Sequence, residues 1–162
     1  MKKIVFADRD GVINRKAAEH EYVTSADEFE FNDGIFELLR EFKAAGYELI
    51  VITNQRGIAR GKMTETDLQA IHQKMLNGLK DEGIDVLDIF YCPHEADSCD
   101  CRKPQPGLLN QATAKYLIDL ADSVLLSDSA SDTAMGKAFG IGRTILVRTD
   151  SLEVLEDSSA IQ

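Results

Sequence analysis

Short apolar runs alternate with amphipathic stretches along this chain, and that alternation constrains the fold more than any other feature. Lys3 to Ala7 (KIVFA) reads as a buried strand, Glu48 to Thr53 (ELIVIT) as a second, Val86 to Tyr91 (VLDIFY) as a third, Ser123 to Ser127 (SVLLS) as a fourth and Thr144 to Val147 (TILV) as a fifth. Between the first two, Phe31-Asn32-Asp33-Gly34 opens a helix with apolar positions at Ile35, Leu38, Leu39 and Phe42, and Gly46 ends it. Thr64-Glu65-Thr66-Asp67 has the form of an N-cap or capping box; the helix after it carries Leu68, Ile71, Met75 and Leu79 on one stripe and closes at Gly83. Gly107 to Leu117 and Asp132 to Phe139 are the remaining helical stretches. This pattern predicts the α/β class: a Rossmann-like three-layer sandwich with a mainly parallel sheet. Asn14 to Glu48 leaves room for a loop and one helix, and Gln55 to Lys103 for a helix, a strand and a loop, so no separate cap domain is expected.

A chain of 162 residues is expected to form one domain, here 1–150, with 151–162 as a polar, frayed C-terminal tail. Hydrophobic residues at 44% and charged residues at 28% exclude a wholly disordered chain. The apolar runs fall far short of the ~20 residues a membrane helix needs, and Asp8 arrives too early for a signal peptide, so a cytoplasmic protein without a membrane partner is expected. Eighteen basic against 28 acidic residues give a net charge of −10, which argues against a nucleic-acid partner but not against a small anionic substrate met by local positive charge. A monomer is expected.

Asp8-Arg9-Asp10-Gly11 follows the first strand directly. Two carboxylates at i and i+2 both face one site if the chain leaves the extended state, which Gly11 permits. Such a pair suits Mg²⁺, or a nucleophile with an acid/base; a plain surface turn is the alternative. Other strands also run into polar groups: the second into Thr53-Asn54-Gln55, the fourth into Asp128 with Asp132 four residues on, while Lys103 follows the third. In a parallel sheet these ends meet, offering a nucleophile, an acid/base, a hydroxyl, a cation and a further carboxylate. That set suits phosphoryl transfer, where positioning and charge neutralisation dominate.

All three cysteines lie between positions 92 and 101. Cys92, His94, Cys99 and Cys101 supply three thiolates and an imidazole, enough for a closed tetrahedral Zn²⁺ site with a structural role; buried cysteines beside a surface histidine are the alternative. Because the set directly precedes Arg102-Lys103, a bound metal would aim both cations. His20 and His72 are not expected to be ligands, and His72 is expected to be solvated on its helix.

Asp8-Arg9-Asp10-Gly11-Val12-Ile13-Asn14, Val51-Ile52-Thr53-Asn54-Gln55, Arg102-Lys103-Pro104 and Ser127-Asp128 with Asp132 resemble, in order and spacing, the motifs of the haloacid dehalogenase superfamily of phosphohydrolases. The resemblance implies Asp8 as the nucleophile that forms an aspartyl-phosphate, Asp10 as general acid then base, and Thr53 and Lys103 as phosphoryl ligands. It implies Mg²⁺ on Asp8, the Asp10 carbonyl and Asp128, with Asp132 supporting Lys103. Tyr91-Cys92-Pro93-His94, Cys99 to Pro104 and Thr53 to Gly61 narrow it to the subfamily of heptose 1,7-bisphosphate 7-phosphatases and histidinol-phosphate phosphatases. That subfamily implies a small phosphorylated substrate, contacted by Glu19, His20 and Tyr22, by Asn54, Gln55 and Arg56, and by Arg102. Arg56, Arg60, Lys62, Arg102 and Lys103 would form a basic rim. The chain departs from the superfamily pattern at Ser127-Asp128-Ser129, where glycine precedes the aspartate and lysine commonly follows it.

Overall fold

Side-chain alternation in the first strand, β1 (Ile4–Ala7), divides the molecule into two cores. Ile4 and Phe6 face one, Val5 and Ala7 the other. The computed structural model describes residues 1–159. Along the chain follow α1 (Ile35–Ala44), β2 (Glu48–Asn54), α2 (Glu65–Asp81), β3 (Val86–Cys92), α3 (Gly107–Lys115), β4 (Val124–Ser127), α4 (Ala130–Phe139), β5 (Arg143–Val147) and β6 (Val154–Ser159). Helices α1 and α2 bury Ile35, Leu39, Phe42, Leu68, Ile71, Met75 and Leu79 on the Val5/Ala7 face. Helices α3 and α4 pack Leu108, Leu109, Ala112 and Met135 on the Ile4/Phe6 face. This is the three-layer α/β sandwich expected from the alternation.

The sheet order is β3-β2-β1-β4-β5-β6, parallel except for the antiparallel β5–β6 pair. Chain order reverses between β1 and β4, and at such a switch point the loops leaving adjacent strands diverge and open a crevice. The loop after β1 carries Asp8 and Asp10; the loop after β4 carries Asp128.

The start of α2 bears out its signature: Asp67 N–H donates to Thr64 Oγ1 at 3.1 Å and Thr64 N–H to Asp67 Oδ2 at 2.8 Å, closing a capping box. Helix α3 ends at Lys115 rather than Leu117, because Tyr116 is extended and Leu117 points into solvent.

The expected frayed tail is corrected over Val154–Ser159, which forms the sixth strand. Its residues are almost all exposed, so no apolar alternation marks it in the sequence. The ladder to β5 holds it, with Arg143 Nε and Nη2 clamping the Asp157 carboxylate at 2.9 and 2.8 Å. Positions 160–162 of the tail lie outside the described residues.

Candidate active site and zinc centre

Asp8 leaves β1 at the switch point with its N–H still bonded to Leu126 of β4. Its Oδ1 accepts from Lys103 Nζ and from Arg9 N–H, both at 2.9 Å. Its Oδ2 has no protein donor among the described residues. Lys103 Nζ also donates to Asp132 Oδ2 at 2.9 Å, so the ammonium bridges two carboxylates. Burial works against that charge, but Asp8 and Asp132 outweigh it and raise Lys103 above the ordinary lysine range. Burial pushes the Asp8 carboxyl up to about 7; Lys103 pulls it down, while Asp132 and Asp128 add to the rise.

Asp10 is set by three side-chain amide or guanidinium donors. Oδ1 accepts from Arg9 Nη2 at 2.8 Å and Asn14 Nδ2 at 3.0 Å; Oδ2 accepts from Gln55 Nε2 at 2.9 Å. Burial favours its neutral form, yet Arg9 and these bonds prevail and hold it below the ordinary carboxylate range. Counting two lone pairs per oxygen leaves one on Oδ2 for a reacting proton.

Thr53, at the end of β2 and buried, accepts from Gln55 Nε2 at 3.0 Å. Gln55 thus couples Thr53 to Asp10. The Asn54 amide grips Lys103: its Oδ1 accepts from Lys103 N–H at 2.9 Å and its Nδ2 donates to Lys103 C=O at 3.1 Å. Both amides, expected to face substrate, line the same cleft as Thr53 and Lys103 and also make these bonds within the protein.

Ser127 Oγ donates to Asp132 Oδ2 at 3.0 Å and accepts from Ser129 N–H at 3.1 Å. A glycine here would leave Asp132 without that donor. Gly11 has φ +91°, and a Cβ there would lie 2.3 Å from Asp128 Oδ2. The loop needs glycine for its turn and for the approach of Asp128, which also accepts from Thr149 Oγ1 at 2.7 Å.

These groups line one cleft of about 340 Å³. Asp8, Asp10, Thr53, Lys103, Asp128 and Asp132 form its floor, and His20, Glu21, Tyr22, Arg56, Arg60 and Arg102 its mouth. Glu19 does not line it; its carboxylate lies 3.5 Å from His20 Nε2 at the surface. Lys62 is exposed and outside the cleft. Lys16, absent from the sequence reading, lines the mouth, placed there by its N–H bond to Asp150 Oδ1 at 2.8 Å.

The basic rim is partly paired. Glu95 accepts from Arg56 Nη1 at 3.1 Å and from Arg60 Nε and Nη2 at 3.0 and 3.1 Å; Arg60 Nη1 donates to the Tyr22 hydroxyl at 3.2 Å. The Arg60 and Arg56 bonds hold the Glu95 carboxyl down at about 2. Arg102 has no carboxylate partner among the described residues, and its Nη1 is buried without a hydrogen bond. A buried guanidinium N–H without an acceptor suits an incoming anion.

Cys92, His94, Cys99 and Cys101 place one donor atom each within 4.8 Å of one another, with His94 Nδ1 3.3 Å from Cys101 Sγ. Three thiols and an imidazole converging without a cationic side chain fit Zn²⁺. At the cleft floor, Asp8 and Asp132 share one ammonium, Asp128 lines the same cleft, and Asp128 and Asp132 both oppose ionisation of Asp8. Surplus negative charge with oxygen-only donors fits Mg²⁺ at Asp8, Asp128 and the Asp10 carbonyl.

His72 corrects the sequence reading: it is buried, not solvated, on the inner stripe of α2. Arg9, to which the sequence assigns no role, is fully buried beneath the site and meets His72 Nε2 at 3.1 Å.

Residues 3–140 match a family described as polynucleotide kinase 3 phosphatase. The chain is 43% identical over 155 residues to D-glycero-alpha-D-manno-heptose-1,7-bisphosphate 7-phosphatase of Photorhabdus laumondii, covering 91% of this chain and 83% of that protein. It is 42% identical over 153 residues to D-glycero-beta-D-manno-heptose-1,7-bisphosphate 7-phosphatase of Escherichia coli K12, covering 90% and 78%. Among solved structures, D,D-heptose 1,7-bisphosphate phosphatase of B. bronchiseptica, complexed with magnesium and phosphate, superposes with a TM-score of 0.81 at 37% identity, covering 92% of this chain and 82% of that one.

Proposed function

Because the chain belongs to the haloacid dehalogenase-like phosphatase family that contains these heptose 1,7-bisphosphate 7-phosphatases, we propose that it is a Mg²⁺-dependent phosphomonoesterase that removes the 7-phosphate of D-glycero-D-manno-heptose 1,7-bisphosphate. One observation carries the reading of its chemistry: Lys103 Nζ bridges Asp8 and Asp132 on the floor of a cleft whose mouth holds Lys16, Arg56, Arg60 and Arg102.

Asp8 attacks phosphorus through Oδ2, the oxygen without a protein donor. The bond from phosphorus to the sugar oxygen breaks as that to Asp8 forms, and the leaving oxygen takes a proton from Asp10. Lys103 and Thr53 hold the phosphoryl oxygens, so that developing charge meets fixed donors. Mg²⁺ on Asp8, Asp128 and the Asp10 carbonyl supplies further charge neutralisation when bound. In the second step Asp10 removes a proton from the water that hydrolyses the aspartyl-phosphate. Asp10 is held ionised in the free site; the negative charge of an arriving phosphoryl group raises its proton affinity, so that it takes up from water the proton it gives to the leaving oxygen and is ionised again to act as base in the second step. Asp132 keeps Lys103 in place. Arg102 and Lys16 receive the second phosphate, and the loop from His20 to Tyr22 borders the sugar. Zn²⁺ on Cys92, His94, Cys99 and Cys101 is structural.

The cationic mouth favours a bisphosphate over histidinol phosphate, whose amine would meet like charge. The net charge of −10 disfavours a phosphorylated polynucleotide. Among the described residues no helix is long and apolar enough to cross a membrane.

The test is phosphate release with Mg²⁺ from heptose 1,7-bisphosphate, histidinol phosphate and a 3′-phosphorylated oligonucleotide. The bisphosphate is expected to be turned over with the highest kcat/KM, and Asp8→Asn to abolish turnover while keeping the fold. Normal activity in Asp8→Asn would refute the mechanism; a preference for histidinol phosphate or the oligonucleotide would refute the substrate.

A further inference from the structure

Arg9 is fully buried, and its guanidinium serves two partners at once. Nη2 donates to Asp10 Oδ1 at 2.8 Å, and Nη1 lies 3.1 Å from His72 Nε2. A guanidinium has only donors, so His72 Nε2 is the acceptor in this contact and the ring is neutral, with its proton on Nδ1. Residue 72 sits on α2, in the layer opposite α3 and α4, and its ring packs edge-on against Tyr91 of β3, with centroids 6.1 Å apart. The Arg9 guanidinium carbon lies 6.0 Å from the Phe29 ring centroid, and Nε has no hydrogen-bond partner. His72 and Asp10 are thus the polar side chains that fix the guanidinium among the described residues.

We propose that His72 is a positioning residue for the acid/base carboxylate: by accepting an N–H from Arg9 it fixes the guanidinium that aims Asp10. This rests on the reading of Asp10 as general acid and base. The physical argument is one of satisfaction. Without the imidazole lone pair, a buried N–H of Arg9 has no acceptor. The guanidinium then gains by turning toward another acceptor, and Nη2 moves with it because the group is planar and rigid. Asp10 keeps its bonds from Asn14 and Gln55 but loses the one that sets its tilt. The remaining lone pair of Oδ2 shifts off the path of the leaving oxygen. Displacements on the order of 1 Å in such groups lower rates by about a hundredfold.

A defect of this kind depends on the leaving group, which a loss of general stability does not. A sugar alkoxide needs the proton of Asp10 to depart; a dinitrophenolate, far less basic, does not. The value of kcat/KM reports the step that transfers the phosphoryl group to Asp8. His72→Leu is therefore expected to lower kcat/KM for the sugar phosphate by about tenfold or more. It should leave kcat/KM for 2,4-dinitrophenyl phosphate within about threefold of the parent. His72→Gln, which can place an amide oxygen near the Nε2 position, is expected to restore the sugar-phosphate rate. If His72→Leu does not fold, His72→Asn, whose acceptor falls short of Arg9, takes its place in the comparison. Equal losses on both substrates, no loss on either, or a Gln variant as impaired as the Leu variant overturns the proposal. Asp10→Asn is the control on the underlying reading. If it shows no leaving-group dependence, the assignment of Asp10 fails; if Asp10→Asn shows it and His72→Leu does not, the inference about His72 fails alone.

Discussion

Asn54 holds Lys103 by both ends of its backbone: the amide oxygen takes the N–H at 2.9 Å and the amide nitrogen gives to the C=O at 3.1 Å. The residue after Thr53 thereby fixes the strand-to-loop path that delivers the ammonium between Asp8 and Asp132. Asn54→Ala removes both bonds and leaves two backbone groups to find water, at a cost of about 1–3 kcal/mol. The expected result is a fall in melting temperature and a fall in kcat of about tenfold or more with a smaller change in KM, because in the proposed mechanism Lys103 stabilises charge that develops in the transition state. Steady-state kinetics and a thermal melt on one preparation check it; a KM change alone would contradict this placement.

Gly11 carries two demands at one position, a left-handed backbone and a Cβ-free approach to Asp128. Gly11→Ala meets strain of about 1–2 kcal/mol from the backbone alone. It also pushes the Asp128 carboxylate from its place. Activity is expected to need markedly more Mg²⁺, seen as a higher half-saturating concentration in a Mg²⁺ titration. An unchanged half-saturation with lowered stability would assign Gly11 to folding alone.

Removal of zinc should reach the cleft through Glu95, which sits next to His94 and grips Arg56 and Arg60. A chelated sample, or Cys99→Ser, is expected to lose several degrees or more of melting temperature, since metal binding is coupled to folding energy. Its KM for the bisphosphate should rise more than its kcat falls. Metal analysis should find one zinc per chain in the parent. A chelated protein with the parent's melting temperature would show that the loop is organised without metal.

His72 makes acid stability a readout of burial. Burial, then Arg9, hold its imidazole down at about 3 against an ordinary value of 6.5, with Asp10 opposing weakly and the Tyr91 ring packed on its edge. A base whose folded pKa lies below its unfolded one binds protons preferentially in the unfolded chain. The stability it contributes is complete above pH 6.5 and is lost progressively as pH falls toward 3. His72→Gln should flatten this dependence. Melts at pH 7, 6 and 5 are the measurement, and parallel curves for parent and variant would contradict the buried, neutral ring.

Much of the site is legible in the sequence because a parallel sheet gathers its strand ends by rule. Asp8, Thr53 and Asp128 each follow an apolar run directly, so finding the strands locates them at one edge. Lys103 and the Cys92, His94, Cys99 and Cys101 cluster follow from local spacing. What escapes reading are partners distant in sequence. Arg9 and His72 are 63 positions apart, and a histidine beside Ile71 on an inner stripe looks like any polar helix residue until its acceptor role is seen. The bonds from Glu95 to Arg56 and Arg60 join two loops whose approach no periodicity encodes. β6 is hidden for a different reason: a strand exposed on both faces has no hydrophobic alternation, and its pairing depends on backbone and on Arg143 with Asp157. Lys16 is not legible because a loop's path is set by tertiary contacts, here the grip of Asp150 on its N–H.

The separation of floor from mouth has an evolutionary consequence. The groups proposed to react sit at or just beyond strand ends, while the proposed discrimination between substrates is left to short surface segments around residues 16–22, 56–60 and 95–102. Such segments tolerate exchange, insertion and drift far better than a core does. A lineage carrying this scaffold can therefore acquire a new preferred ester by editing a few exterior positions, while the chemistry beneath is inherited unchanged.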